Sequence, residues 1–198
     1  MLKIGLTGGI GAGKSTVSRY LRKKGYIVLD ADAMGKELTK KGGEAIPFII
    51  EHFGDEMIKA DGNLDRKKLA DLVYNDKKKL ALYESATTVK IAKNLLDEMN
   101  KHKDSDTLIF AEVPLLFEKN MHKQMDYNWL VISDDKERIA RVIDRDNTTQ
   151  KLVMDIIKNQ MDQETKVILA DEVIDNSSDL KFLYNQIDKL LEKYQKKV

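Results

Sequence analysis

A glycine-rich run near the start of the chain carries residue types that bind phosphate. Residues 8–15, Gly-Gly-Ile-Gly-Ala-Gly-Lys-Ser, fit the pattern G-x-x-x-x-G-K-[S/T] at every fixed position. Such glycines let backbone N–H groups turn toward phosphate oxygens, and the helix that follows presents its N-terminal dipole to the same charge. Lys14 can then reach the β- and γ-phosphates, and the Ser15 hydroxyl can ligate Mg²⁺. The run predicts a site for ATP or GTP with Mg²⁺ and leaves the phosphate acceptor open.

Carboxylates follow two apolar runs of strand length. Asp30 and Asp32 come after one run, and Glu112 ends the other. Ligands bind beyond the carboxyl ends of the strands in open α/β sheets, and phosphoryl transfer to an alcohol needs a base or an orienting carboxylate near the attacking oxygen. Either aspartate could fill this role or could cap the next helix. Glu112 could hold Mg²⁺ directly or through water, or could be a strand-end acid without a catalytic role.

A row of arginines is a further candidate. Arg138, Arg141 and Arg145 are spaced i, i+3 and i+7, so on a helix they share one face. Guanidinium groups there could clamp the triphosphate and stabilise the charge of the moving phosphoryl group. The alternative is an ordinary solvated helix face paired with Asp144 and Asp146.

The segments around these residues have the patterns of strands and helices. Residues 2–7 and 26–29 are apolar runs of strand length on either side of a helical pattern over about 14–24, which predicts a parallel sheet covered by helices. Further strands are predicted at 107–111, 129–132 and 172–174, and helices over most of 33–103 and over 134–146, 149–160 and 180–194. Asp61-Gly62-Asn63 predicts a turn, and Trp129 is predicted in the core.

Composition excludes several classes of protein. The 34 Lys and Arg and the 33 Asp and Glu of the 198 residues leave a net charge of +1, which gives no support to a broad nucleic-acid-binding surface. Without cysteine, the chain has neither disulfides nor thiolate metal sites, and its 3 histidines form no short metal motif. Its longest apolar stretch is broken by Glu112 and Pro114, and the N-terminus lacks a signal-peptide pattern. We therefore expect a cytoplasmic protein that binds neither membranes nor nucleic acid.

Several motifs, in order along nearly the whole chain, resemble the dephospho-CoA kinase family. The phosphate loop alone is shared by many families, but Asp-Ala-Asp, Pro-Leu-Leu-Phe-Glu and Val-Ile-Asp-Asn in this order are far more specific. The matching stretches are residues 6–16, 30–32, 61–66, 113–118, 141–145 and 170–176.

The resemblance implies a reaction and a fold. ATP, with Mg²⁺, would phosphorylate the ribose 3′-hydroxyl of dephospho-CoA to give ADP and CoA. The implied fold is α/β: a P-loop NTPase core with a five-stranded parallel sheet flanked by helices, a helical substrate domain and a small lid. We place the core at 1–32, 104–137 and 166–198, the helical acceptor domain at 33–103 and the lid at 138–165. We expect a monomer or weak homo-oligomer.

The resemblance also implies roles for individual residues. Asp32 resembles the catalytic carboxylate, Lys14 acts on the phosphates, and Arg141 resembles a lid arginine that closes on ATP. The predicted ATP-binding residues are Gly9, Gly11, Ala12, Gly13, Lys14, Ser15, Thr16, Arg141 and Asn176, with Ser15 as the Mg²⁺ ligand. The predicted acceptor-binding residues are Asp32, Arg66, Pro114, Leu115, Leu116 and Glu118.

One position departs from the family pattern. The family usually has a His-Pro pair in the long helical stretch, where this chain has Thr88-Val89. The change indicates either drift within the lineage, with Arg66 carrying more of the acceptor binding, or an altered acceptor.

Two other functions fit part of the pattern. A kinase of a nucleoside monophosphate or another small alcohol would have similar length and lobes, but it need not carry the motifs at 114–118 and 173–176. A regulatory switch that binds and slowly hydrolyses nucleotide would also carry the phosphate loop. The chain has no N-K-x-D motif, which disfavours a GTP switch.

Overall fold

The computed structural model describes residues 1–198, apart from the side chain of Tyr74. The strands are β1 (Leu2–Gly8), β2 (Ile27–Asp30), β3 (Leu108–Glu112), β4 (Tyr127–Ile132) and β5 (Glu172–Asp175). The α-helices are α1 (Lys14–Lys23), α2 (Ala31–Leu38), α3 (Ile46–Phe53), α4 (Arg66–Tyr74), α5 (Lys77–Asn100), α6 (Asp135–Asp146), α7 (Gln150–Asn159), α8 (Gln163–Leu169) and α9 (Leu180–Gln195). Short 3-10 turns lie at Asp55–Met57 and Met121–Gln124.

The strands form one parallel sheet in the order β2-β3-β1-β4-β5. The central strand β1 is buried from Ile4 to Gly8, as expected for a strand covered by helices on both faces. Because all strands are parallel, their carboxyl ends lie at one edge, and β1 runs directly into the phosphate loop there. The predicted five-stranded parallel sheet of a P-loop NTPase fold is confirmed.

The chain divides into two compact units. The first contains Met1–Asp30 and Met99–Val198, and the second contains Ala31–Glu98. In the described part of the chain, no helix is both long and apolar enough to cross a bilayer.

The core of the first unit forms around the sheet and α9. The ring of Trp129 on β4 lies 5.2 Å from Phe110 on β3 and 5.5 Å from Tyr194 on α9, measured between ring centroids. Trp129 is fully buried, which confirms its predicted place in the core. On α9 the buried residues Leu183, Ile187, Leu191 and Tyr194 form one face, as the periodicity predicts. Burial contributes about 1.5–3 kcal/mol for each large aliphatic side chain, so this face holds α9 on the core.

The second unit has a separate core. Its buried residues come from α2, α3, α4 and the segments between them: Leu38, Ala45, Ile46, Ile49, Phe53, Met57, Leu64, Leu69 and Val73. The predicted turn at 61–63 is confirmed, because Gly62 has a φ of 87° and the Asn63 N–H donates to Asp61 Oδ1 at 2.9 Å. Asp65 caps α4 by accepting the Lys68 N–H at 3.1 Å.

Two features of the first unit differ from the sequence prediction. The sequence does not predict helix α8, because its apolar residues Val167, Ile168 and Leu169 are consecutive and lack helical spacing. All three are exposed, Ile168 by 83%. Strand β4 starts at Tyr127, ahead of the predicted start, since its pairing with β1 already begins opposite Ile4.

Candidate phosphate-binding site

The backbone conformation of the loop between β1 and α1 requires glycine at two positions. Gly11 and Gly13 have φ angles of 75° and 98°, in the left-handed region that glycine adopts without strain. A Cβ at Gly13 would also collide with Nδ2 of Asn176, and one at Gly11 with the backbone carbonyl of Arg138. Gly13, a fixed glycine of the motif, and Gly11, at one of its variable positions, are therefore both required for steric as well as conformational reasons.

Helix α1 begins where the loop ends. Gly13 is its N-cap residue and provides no side-chain hydrogen bond to the first turn. The first N–H groups of a helix carry a partial positive charge, and an acid there would compete with an anion. The first turn of α1 contains no acidic residue. This helix start is therefore suited to a phosphate group.

Lys14 and Ser15 are the first two residues of α1. Lys14 Nζ donates to the carbonyl of Gly8 at 2.9 Å, so its ammonium group lies at the loop. Ser15 is exposed. Mg²⁺ on a nucleotide uses one or two protein oxygens together with phosphates and waters, and a serine hydroxyl suits that need. Among the described residues there is no cluster of three or more His, Cys, Asp or Glu that could hold a metal without the nucleotide.

Arg138 on α6 supports the loop from within the protein. It is 4% exposed, its Nε donates to the carbonyl of Ile10 at 3.0 Å, and its Nη1 donates to Asp135 Oδ1 at 2.8 Å. A Cβ at Gly9 would collide with the guanidinium group. The alternative of an ordinary solvated face is therefore wrong for Arg138. Its donors bind the loop backbone and Asp135.

Arg141 and Asn176 lie close together. Arg141 donates to Ser133 Oγ and to the backbone carbonyl of Asn176, both at 3.1 Å, and pairs with Glu137 at 3.3 Å. The Asn176 side chain in turn donates from Nδ2 to the carbonyl of Ala12 at 2.9 Å. Both residues are thus connected to the phosphate loop through the protein backbone.

Arg145 points elsewhere. It pairs with its neighbour Asp146 at 2.7 Å, and both side chains are largely exposed. The hydrogen bonds from the Arg145 guanidinium hold the pKa of the Asp146 carboxyl below its usual value. The structure therefore brings Arg138 and Arg141 into the loop's surroundings and pairs Arg145 with Asp146 at the surface.

The turn after β3 carries the predicted acceptor residues of the first unit. Thr7 Oγ1 donates to the carbonyl of Pro114 at 3.2 Å, which ties the turn to β1. Pro114 and Leu115 are partly exposed, whereas Leu116 is fully buried. Glu118 Oε1 lies 2.8 Å from Nζ of Lys166, which is itself 1% exposed. Leu116 supports this turn from the core, and Glu118 is held by a buried cation.

The carboxylates occupy successive positions where strands end. Asp30 is the last residue of β2 and lies opposite Glu112, the last residue of β3. Asp32 is two residues further on, exposed in the first turn of α2.

Arg66 belongs to the second unit. Its Nη2 donates to Thr39 Oγ1 at 2.5 Å. With Thr88 it lines a cavity of about 240 Å³, whose other walls are mainly apolar residues of α4 and α5. Arg66 and the position that departs from the family pattern thus share one cavity.

Sequence patterns miss several residues around the loop. The Ile10 N–H donates to Gln160 Oε1 at 3.1 Å, and Ser133 and Lys166 contact Arg141 and Glu118 as described above. Gln160 lies 150 positions from Ile10 in the chain, and no short-range pattern marks such a contact. Only the capping signal of Asp162, which accepts the Thr165 N–H at 2.7 Å, marks this segment in the sequence.

Comparison with known proteins gives consistent matches over the chain. A model of the dephospho-CoA kinase family matches residues 2–181. A dephospho-CoA kinase of Fusobacterium nucleatum subsp. nucleatum is 40% identical over 189 residues, which cover 96% of each sequence. One of Carboxydothermus hydrogenoformans is 35% identical over 193 residues, covering 97% of this chain and 94% of the relative. A crystal structure from Thermus thermophilus is 32% identical, covers 97% of both chains and superimposes with a TM-score of 0.83.

Proposed function

Because the chain belongs to the dephospho-CoA kinase family and is therefore a kinase that converts dephospho-CoA to CoA with ATP, we propose that its loop of residues 8–15 holds the ATP phosphates. The observation that carries this assignment is the loop geometry: two glycines with left-handed φ angles lead into a helix whose start no side chain caps. The proposed ATP-binding residues are Gly9, Gly11, Ala12, Gly13, Lys14, Ser15 and Thr16.

Catalysis at this loop is mainly positioning and charge stabilisation. Lys14 lies at the loop already, and its ammonium group stabilises the negative charge on the transferred phosphoryl group. The Ser15 hydroxyl would ligate the Mg²⁺ that accompanies ATP and neutralises part of the phosphate charge. Arg141 and Asn176 belong to the nucleotide site through their link to Ala12. We assign residues 138–165, which contain Arg141, to a lid.

The acceptor side consists of a carboxylate and a turn. Asp32 accepts a hydrogen bond from the ribose 3′-hydroxyl of dephospho-CoA and orients its oxygen for in-line attack on the γ-phosphate. Its exposure in the first turn of α2, directly after the carboxyl end of β2, supports this role. We assign acceptor contacts to Pro114, Leu115 and Glu118, with Leu116 buried beneath them. Arg66, in the helical segment 33–103, provides a cation for the acceptor's phosphates.

The test is ADP release from Mg-ATP with and without dephospho-CoA, together with an assay of the product for a 3′-phosphate. We expect acceptor-dependent ADP release and formation of CoA. The Lys14→Ala variant should lose most of this activity, because it lacks the ammonium group at the loop. ADP release that is indifferent to the acceptor would contradict the kinase and favour a nucleotide switch. Normal transfer by Lys14→Ala would contradict the proposed nucleotide site.

A further inference from the structure

Both backbone groups of Ile10 in the phosphate loop, its N–H and its carbonyl, form hydrogen bonds with side chains from later parts of the chain. Its N–H donates to Gln160 Oε1 at 3.1 Å, and its carbonyl accepts from Arg138 Nε at 3.0 Å. Gly9 and Gly11, the residues on either side, approach Arg138 so closely that neither has room for a side chain. Ile10 is thus held between a buried cation and an amide side chain.

Gln160 is itself fixed by its neighbours. It follows α7, and the next residue, Met161, donates its N–H to Glu118 Oε1 at 3.2 Å. Glu118 pairs with Lys166, one of the most deeply buried side chains of the protein. The hydrogen bond from the Met161 N–H therefore ties the backbone next to Gln160 to a mostly buried ion pair, and breaking such a pair strongly destabilises a protein.

We propose that Gln160 is a positioning residue for phosphoryl transfer, which acts with Arg138 to hold the Ile10 peptide in the geometry that binds the ATP phosphates. The inference rests on the proposed nucleotide site. Gln160 does not need to touch the nucleotide in this role. It lowers the freedom of the loop before ATP arrives, so that less ordering is required on binding.

The size of the effect follows from the bond that is lost. The net contribution of one hydrogen bond between neutral groups corresponds to about a 2- to 12-fold change in an equilibrium. Gln160 is partly exposed, so its replacement leaves the core packing of the first unit intact. A loss of activity without a loss of stability would therefore identify positioning.

The experiment compares Gln160→Met with Gln195→Met. Methionine keeps the length of the side chain but has no amide oxygen. Gln195, the last residue of α9, is the matched control, because its Nε2 donates a hydrogen bond of similar length, 3.2 Å, to the Asp106 carbonyl, and its Oε1 accepts one from the Tyr26 hydroxyl at 3.5 Å. The measurements are kcat, KM for ATP, KM for dephospho-CoA, Tm, and hydrogen exchange at the Ile10 amide.

For Gln160→Met we expect kcat/KM for ATP to fall about 3- to 10-fold, with an unchanged KM for dephospho-CoA and a Tm within about 2 °C of wild type. Ile10 amide exchange should become faster by a similar factor, whereas Gln195→Met should match the wild type in kinetics and in Ile10 exchange. Faster exchange with unchanged kinetics would overturn the positioning role. Unchanged exchange would show that the bond does not hold Ile10, which also overturns it. These results are separate from the Lys14→Ala assay, which tests the nucleotide site itself.

Discussion

Replacing Asn176 with aspartate separates two roles for this residue: support of the phosphate loop and direct contact with adenine. Asn176 is 7% exposed, and its Nδ2 donates to the Ala12 carbonyl at 2.9 Å beside the Cα of Gly13. In Asn176→Asp, which has nearly the same shape, a carboxylate oxygen would face the carbonyl oxygen of Ala12.

The magnitude follows from burial. Leaving a buried polar group without its partner costs about 1–3 kcal/mol, and more for a charged group. In a chain of this length each kcal/mol lowers Tm by about 2–4 °C. A loss of about 2 kcal/mol therefore lowers Tm by about 4–8 °C. The change also moves the loop backbone at Ala12, so kcat/KM for ATP should fall by at least about 10-fold, the equivalent of 1.4 kcal/mol.

The assay is thermal unfolding together with kcat/KM for ATP and for GTP. Asn185→Asp, on the exposed side of α9, is the control and should match the wild type. If Asn176 supports the loop, Tm falls and activity with both nucleotides falls in proportion. A wild-type Tm combined with a changed ratio of ATP to GTP activity would refute the support role, because the side chain would then contact the base.

Three further changes test the proposed catalytic carboxylate, the core and a buried hydroxyl. Asp32→Asn should lower kcat by about 10²–10⁴-fold. Its Tm should change little, because Asp32 is exposed, and Asp97→Asn at another exposed aspartate is the control. An Asp32→Asn variant with unimpaired kcat would remove Asp32 from the mechanism. Leu183→Ala should lower the free energy of unfolding, measured in urea, by about 2–5 kcal/mol, because Leu183 is fully buried. Leu180 is 55% exposed, so Leu180→Ala should lower it far less. Equal losses in the two variants would contradict the assigned core face of α9. Burial and the Glu172 carboxylate raise the pKa of Tyr194, so above pH 10 the folded protein keeps the hydroxyl proton while the unfolded chain loses it. The free energy of unfolding should therefore fall as the pH rises above 10, and it should fall less steeply in Tyr194→Phe. Equal slopes of unfolding free energy against pH in the two proteins would exclude this linkage.

The parts of the fold that the sequence predicts are those whose pattern is local. The strand at 2–7 is recognisable because a buried parallel strand is a short continuous apolar run, and α9 because its buried residues recur at helical spacing. Helix α8 has no such stripe, since its apolar residues 167–169 are consecutive and exposed. Its position depends on Lys166, which reaches into the interior to pair with Glu118. Such a contact is a tertiary effect that periodicity does not show.

In the candidate site, too, the sequence shows the local motifs but not the long-range contacts. The phosphate loop is visible in the sequence because its glycines and lysine act within eight consecutive residues. The row of arginines is also visible, but the sequence does not show that Arg138 is buried against the Ile10 carbonyl while Arg145 pairs with Asp146 at the surface. Spacings of three and seven residues place side chains on one helix face. Whether each side chain is buried, and which group it binds, depends on what packs against that face.

The contacts of the loop have a consequence for how nucleotide binding depends on folding. Ile10 is held by Arg138 and Gln160, and Ala12 by Asn176, at separations of 128, 150 and 164 positions along the chain. The first strand, loop and helix therefore contain the residues that would contact phosphate but not those that hold the loop. These holding contacts form only when the last third of the chain has folded onto the sheet. Changes in α6, in the segment between α7 and α8 or after β5 should thus weaken ATP binding without touching the motif, since they alter how far the loop is ordered before ATP binds.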